Sequence, residues 1–198
     1  MAPGTIVILN GVPRAGKSSV AAVIQETFDG TWLNLGVDVA REATPPRYQP
    51  GIGLRPGEPD HPAASVVSLL YAGWYDGIAA HSRVGLNVVA DFGHYDAAIL
   101  ADCARRIDGL PAYFVGVHCP IEVIMERRHA SPSGGYAVGS PEEPVPAPVQ
   151  RWQDQVHVPG IYDLEVDTSV LTPEQCAAAI RERLARPPSA FARLANGV

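Results

Sequence analysis

The sequence predicts an α/β fold in three layers, a five-stranded parallel sheet flanked by helices, and three observations carry the prediction. Apolar runs of strand length alternate with segments of helical periodicity along the chain, the order that βαβ crossovers produce. The first run, Thr5-Ile6-Val7-Ile8-Leu9, leads directly into Gly11-Val12-Pro13-Arg14-Ala15-Gly16-Lys17-Ser18, a G-x-x-x-x-G-K-S pattern. Helical character begins immediately after it, in Ser19-Val20-Ala21-Ala22-Val23-Ile24. Strand, glycine-bracketed loop and helix in that order give the sheet its specific form, the P-loop NTPase/kinase fold.

The spacing follows from phosphate chemistry. Glycines at both ends let the loop wrap a phosphate chain, with its backbone N–H groups and the positive helix N-terminus aimed at the anion. Gly11, Val12, Pro13, Arg14, Ala15, Gly16, Lys17, Ser18 and Ser19 are therefore the candidate nucleotide-binding set. Lys17 is expected to reach the β- and γ-phosphates and Ser18 to offer its hydroxyl to Mg²⁺.

The remaining elements are read in order. The first helix is expected to end near Phe28-Asp29-Gly30, and Trp32-Leu33-Asn34-Leu35-Gly36-Val37-Asp38 reads as a second strand with Asp38 just past its carboxyl end. Thr44 to Pro62 carries six prolines and several glycines, so neither helix nor central strand is expected to persist there. That makes it a long acceptor-side loop, 44–62. Val66, Leu69, Leu70, Trp74 and Ile78 recur at helical spacing between Ala63 and Arg83. Leu86 to Asp91 reads as a third strand, Asp96 to Ile107 as a helix, Ala112 to Val117 as a fourth strand and Ile121 to Arg128 as a short helix. A lid is expected over 129–148, where Gly, Pro and Ser are concentrated, followed by a final strand, Tyr162 to Asp167. Thr172 then reads as the N-cap of a closing helix with Pro173 in its first turn. One domain over 1–186 is expected, with a frayed tail over 187–198.

Composition excludes several function classes. The net charge of −6 over 198 residues, without a Lys/Arg cluster, argues against nucleic-acid binding. Cys103, Cys119 and Cys176 are odd in number and far apart, which suits a reducing cytoplasm rather than a disulfide framework. No apolar run approaches the length of a membrane span, and Met1-Ala2-Pro3-Gly4 leads straight into the first strand without a signal-peptide pattern. A cytoplasmic location is expected.

Ligands of a parallel sheet bind outside the carboxyl ends of its strands, where Asp38 and Asp91 join the loop. Asp91 is the candidate carboxylate for Mg²⁺, or alternatively a polar strand terminus. Asp38 is placed to accept a proton from an attacking hydroxyl, or alternatively to cap a helix. Arg127, at the end of a helix leading into the lid, is the candidate for stabilising charge on the migrating phosphoryl group, beside Arg128 and Arg14; basic residues in a last turn also complement the helix dipole. His94, His118, His129 and His157 read as scattered rather than paired, and receive no metal site. Tyr71, Trp74 and Tyr75 fit a buried helix face before a substrate pocket.

Taken together, Ile8-Leu9-Asn10-Gly11, Ala15-Gly16-Lys17-Ser18, Trp32-Leu33, Gly36-Val37-Asp38, Val115-Gly116-Val117, Cys119, Val156-His157 and Tyr162-Asp163-Leu164-Glu165-Val166-Asp167-Thr168 resemble the chloramphenicol phosphotransferase-like family of P-loop kinases. The likeness runs from Ile6 to about Ile180. It implies an ATP-dependent kinase that phosphorylates the primary hydroxyl of chloramphenicol and inactivates it. Asp38 matches the family's general base, Lys17 and Ser18 its nucleotide and Mg²⁺ ligands, and Arg127 an arginine leading into its lid. Two departures are visible: His129 to Tyr136 lacks further arginines, and the proline-rich stretch Thr44 to Pro62 differs from the family's pattern on the acceptor side. The expected acceptor is therefore chloramphenicol or a related hydroxylated antibiotic, with another metabolite, such as a nucleotide sugar, or a nucleotide-binding regulator without transfer activity as the alternatives.

Overall fold

The computed structural model describes residues 2–51, 64–131 and 139–196. Residues 52–62 of the expected acceptor-side loop and 132–138 of the expected lid lie outside the described residues. Five strands, β1 (Ile6–Asn10), β2 (Trp32–Asn34), β3 (Asn87–Phe92), β4 (Ala112–His118) and β5 (Leu164–Asp167), form one sheet in the order β2-β3-β1-β4-β5. All pairings are parallel, with Leu9 opposite Asp91 and Val115 and with Val115 opposite Leu164. β1 is buried at every position, as a central strand covered on both faces must be.

Alternation along the strands divides the core in two. Val7, Leu9, Val89, Val115 and Val117 face one side, where they meet Val20 and Ile24 of α1 (Lys17–Thr27), Ile124 of α5 (Ile121–Ala130), Trp152 of α6 (Ala147–Gln155) and Ile180 of α7 (Pro173–Leu184). Ile6, Ile8, Val88, Ala90 and Phe114 face the other, against Tyr75 and Ile78 of α3 (Ala64–Arg83) and Leu100 of α4 (Ala97–Arg106). The three-layer arrangement follows from this period of two. No helix among the described residues is long and apolar enough to cross a membrane.

Several elements depart from the sequence reading. β2 stops at Asn34, whose side-chain carbonyl accepts the Gly36 N–H, and the chain turns into α2 (Val37–Ala43). Asp38 therefore lies in the first turn of a helix, four residues beyond the end of β2, and not directly past a strand that runs to Val37. A 3₁₀ helix spans Pro46–Gly51, a short piece that the prolines tolerate. On α3 the buried face runs through Val67, Tyr71, Tyr75 and Ile78, while Leu69 is 70% exposed. α7 begins as expected, with Thr172 and Gln175 forming a capping box and Pro173 in the first turn.

The tail is the larger correction. Residues Ala190–Ala195 form α8 instead of fraying, and the Phe191 ring lies 4.8 Å from that of Phe114. A buried carboxylate organises this end of the molecule. Asp163 Oδ1 accepts from Arg183 (2.8 Å) and from the Ser189 and Ala190 amides (2.8 and 3.3 Å), while Oδ2 accepts from the Phe114 amide (3.0 Å). One side chain thus ties α7, α8 and β4 together.

A second network anchors the carboxyl end of β1. Asn10 donates to the Val156 carbonyl and to the Tyr162 hydroxyl (2.7 Å each), and its side-chain oxygen accepts from the His94 amide (2.8 Å) and from His94 Nδ1 (3.1 Å). His94 Nε2 then accepts from the Tyr75 hydroxyl at 2.7 Å, so the ring is satisfied in its neutral form. On the other branch Tyr162 bonds His157 Nδ1, and His157 stacks on His118 at 3.9 Å, whose Nε2 reaches Glu165. The histidines read as scattered are thus partly paired: strands and loops distant in sequence bring His118 and His157 together.

Two expectations follow. Asp163→Ala leaves the nearly buried Arg183 guanidinium without its carboxylate, and should destabilise the protein by about 3–5 kcal/mol in urea denaturation. Burial, with Lys17 adding to it, lowers the His94 pKa from 6.5 to about 3. The unfolded chain takes up this proton first as pH falls, so the stabilisation is complete above the unfolded pKa and is lost progressively toward pH 3. The loss reaches about 2 kcal/mol by pH 5. In His94→Gln, the fall in stability between pH 7 and pH 5 should be smaller by about that amount.

Candidate active site

The loop between β1 and α1 is shaped by backbone conformations that few residues adopt easily. Gly16 sits at φ 91°, and Arg14 at φ 75° occupies the same left-handed region despite its side chain. Gly16 also serves as the N-cap of α1 without a capping side chain, so the first-turn amides have no side-chain acceptor. Lys17, only 8% exposed, donates its ammonium to the carbonyls of Gly11 and Val12, both at 2.9 Å. Burial lowers its pKa, and the nearby carboxylates of Asp91 and Asp38 act in the opposite direction.

Ser18 Oγ donates to Asp91 Oδ2 at 2.6 Å. Asp91 is not the last residue of its strand, as the sequence suggested; β3 continues to Phe92, and Asp91 stands beside Leu9 of β1 with its carboxylate buried. The short pairing of a hydroxyl with a carboxylate gathers hard oxygen donors at one point, which fits Mg²⁺. Gly36 is required at the same place, since a Cβ there would overlap the Asp91 carboxylate. The absence of that carbon lets the start of α2 approach Asp91, bringing Asp38 to the site.

Arg127 reaches the loop from α5. Its guanidinium donates to the Thr168 carbonyl (2.7 Å), to Thr168 Oγ1 (3.2 Å), to the Arg14 carbonyl (3.2 Å) and to Cys119 Sγ (3.4 Å). Thr168 in turn donates to the Ala15 carbonyl at 2.7 Å. Arg14 extends away from its own loop to the Ser131 carbonyl.

These groups surround a cleft of about 790 Å³. Of the residues singled out in the sequence, Arg14, Gly16, Lys17, Ser18, Ser19, Asp38 and Arg127 line it; Asp91 stands behind Ser18. Gly11, Val12, Pro13 and Ala15 do not line the cleft, although Gly11 and Val12 hold Lys17. Arg128 is buried and is not part of the wall. Sequence reasoning missed Arg41, Glu42, Thr168, Leu171 and Pro173 as cleft residues. Thr168 stood within the recognised Tyr162–Thr168 segment, and Arg41 one helical turn beyond Asp38; those were the available signals.

Two proteins from strains of Mycobacterium tuberculosis, provisionally named O-phosphotransferases, are 29% identical over 215 residues, covering 98% of this chain and 89% of theirs. Among solved structures, a sugar kinase from Janibacter sp. superposes with a TM-score of 0.64 at 16% identity, covering 92% of this chain and 95% of the other. A gluconokinase from Sinorhizobium meliloti gives 0.55 at 23%, covering 98% and 94%. These likenesses show the fold, a five-stranded parallel sheet flanked by helices. The family model described as chloramphenicol phosphotransferase-like protein matches residues 4–185, and the chain belongs to that family of phosphotransferases.

Proposed function

We propose that the protein transfers the γ-phosphoryl group of ATP to a hydroxyl of a small molecule. The observation that carries this reading is the convergence, in one cleft, of a phosphate-wrapping loop, the Ser18–Asp91 pair and the carboxylate of Asp38. A regulator that only sensed nucleotide would need the first two and not the third.

The amides at the start of α1 and the Lys17 ammonium bind the phosphate chain, Lys17 exchanging its two carbonyl acceptors for phosphate oxygens. Ser18 and Asp91 would hold Mg²⁺, which supplies neutralisation of phosphate charge when bound. The wall formed by Ala130, Leu171 and Pro173 is left for the base and ribose. Asp38 takes the proton from the acceptor hydroxyl as its oxygen forms the bond to the γ-phosphorus, the bond from that phosphorus to the β-bridging oxygen breaks, and ADP leaves with the electron pair. Arg127, already fixed between Thr168 and the loop, stabilises the charge that develops.

Family membership makes chloramphenicol and related hydroxylated antibiotics the first acceptors to test, with hydroxylated metabolites as the alternative. Three free, buried cysteines fit a reducing compartment, the cytoplasm.

The test is mass spectrometry of such an acceptor panel after incubation with the protein and Mg-ATP. A product heavier by one phosphoryl group is expected with the native protein and none with Lys17→Ala, which should also lose nucleotide binding. Asp38→Asn should bind ATP as the native protein does, with kcat reduced about 10²- to 10⁴-fold. Full transfer activity in that variant would remove Asp38 from the reaction.

A further inference from the structure

We propose that Arg41 binds an anionic group of the acceptor, so that the substrate is a hydroxylated carboxylate or phosphate ester and not a neutral alcohol. The inference rests on the kinase reading of the cleft and narrows its acceptor.

α2 is seven residues long and carries both groups concerned. Asp38 and Arg41 are three positions apart, which puts them on one helical face, with Cβ atoms about 5–6 Å from each other. Both line the cleft beside Lys17 and Ser18. The Arg41 guanidinium has no hydrogen-bond or ion-pair partner among the described residues. Glu42 is its neighbour in sequence, but adjacent helical positions do not face each other. A cation in the last turn complements the dipole of α2, which accounts for the charge and not for its place on the Asp38 face.

The cations that would serve a triphosphate come from elsewhere in the fold, Lys17 from the start of α1 and Arg127 from α5. Arg41 alone among the cleft cations is carried by the helix that bears the proposed base. Its chemistry suits one purpose there. A carboxylate base repels an anionic acceptor, and a guanidinium one helical turn away offsets that repulsion while offering a planar fork of donors matched to carboxylate or phosphate oxygens. The spacing selects acceptors whose reactive hydroxyl lies a few bonds from the acid group. Chloramphenicol, which has no ionised group at neutral pH, leaves Arg41 unused.

The experiment uses the full chain, Mg-ATP and matched acceptor pairs read by mass spectrometry: gluconate and glucose, glycerate and glycerol, shikimate and its methyl ester, and glucose 1-phosphate and methyl glucoside. Chloramphenicol is included among the neutral compounds, and a polar metabolite extract is run in parallel. Phosphorylation is expected on anionic members, with kcat/KM at least tenfold above that of the neutral counterparts. Arg41→Ala should raise the acceptor KM roughly ten- to hundredfold and leave the ATP KM unchanged, and Arg41→Lys should recover part of the loss. The carboxylate and phosphate arms identify which anion is read. Equal use of neutral and anionic members, or a change in the ATP KM instead of the acceptor KM, overturns the role of Arg41 and leaves the kinase reading standing. Lys17-dependent ATP binding with no phosphorylated product from panel or extract overturns both.

Discussion

The hydrogen bond from Ser18 to Asp91 is the constraint on which the rest of the site depends. It joins the start of α1 to the carboxyl end of β3, and so fixes the loop against a strand that is not its neighbour in sequence. The parallel register of β1 and β3 makes that possible by placing Leu9 beside Asp91. Gly36 adds the third component, because only a residue without a Cβ lets α2 begin against the same carboxylate. Loop, carboxylate and Asp38 are thereby assembled by one close approach.

The segment from Tyr162 to Thr168 shows how a short sequence can hold several elements in place. Tyr162 reaches Asn10 at the foot of the loop, and Asp163 caps α8 while pairing with Arg183. Glu165 meets His118, and Thr168 bonds the loop carbonyl of Ala15 while receiving Arg127. The segment is distinctive in sequence because its polar side chains are committed to different partners. Of its aliphatic residues, Val166 is buried in the core and Leu164 packs against it.

What was legible in the sequence depended on contiguity. The loop residues Gly11 to Ser18 form a unit of fixed spacing, and strand and helix periods on either side are local properties, so the fold and the candidate phosphate loop could both be read. Asp38 was singled out but placed on the wrong element, since Leu35-Gly36-Val37 reads as strand until the Asn34 turn and the approach to Asp91 are known. The order of the tail escaped notice because its cap, Asp163, lies 26 residues before Ser189. The same holds for His118, at the end of β4, and His157, just beyond α6, which lie 39 positions apart and meet only in the folded chain, and for Arg41, whose meaning depends on what shares its cleft.

The Asn10 network has a consequence in entropy. Its amide uses both donor and acceptor capacity on partners that are themselves satisfied, so the floor beneath the loop is ordered before any ligand arrives. α2, by contrast, has Ala40 as its single buried residue and carries few packing contacts to hold it. On the proposed reading, the half of the cleft that takes the nucleotide would thus meet its ligand with little freedom left to lose. The conformational cost of ordering the site would then fall on the α2 side, and an acceptor held there by both Asp38 and Arg41, as proposed, recovers more of that cost than one held at a single point.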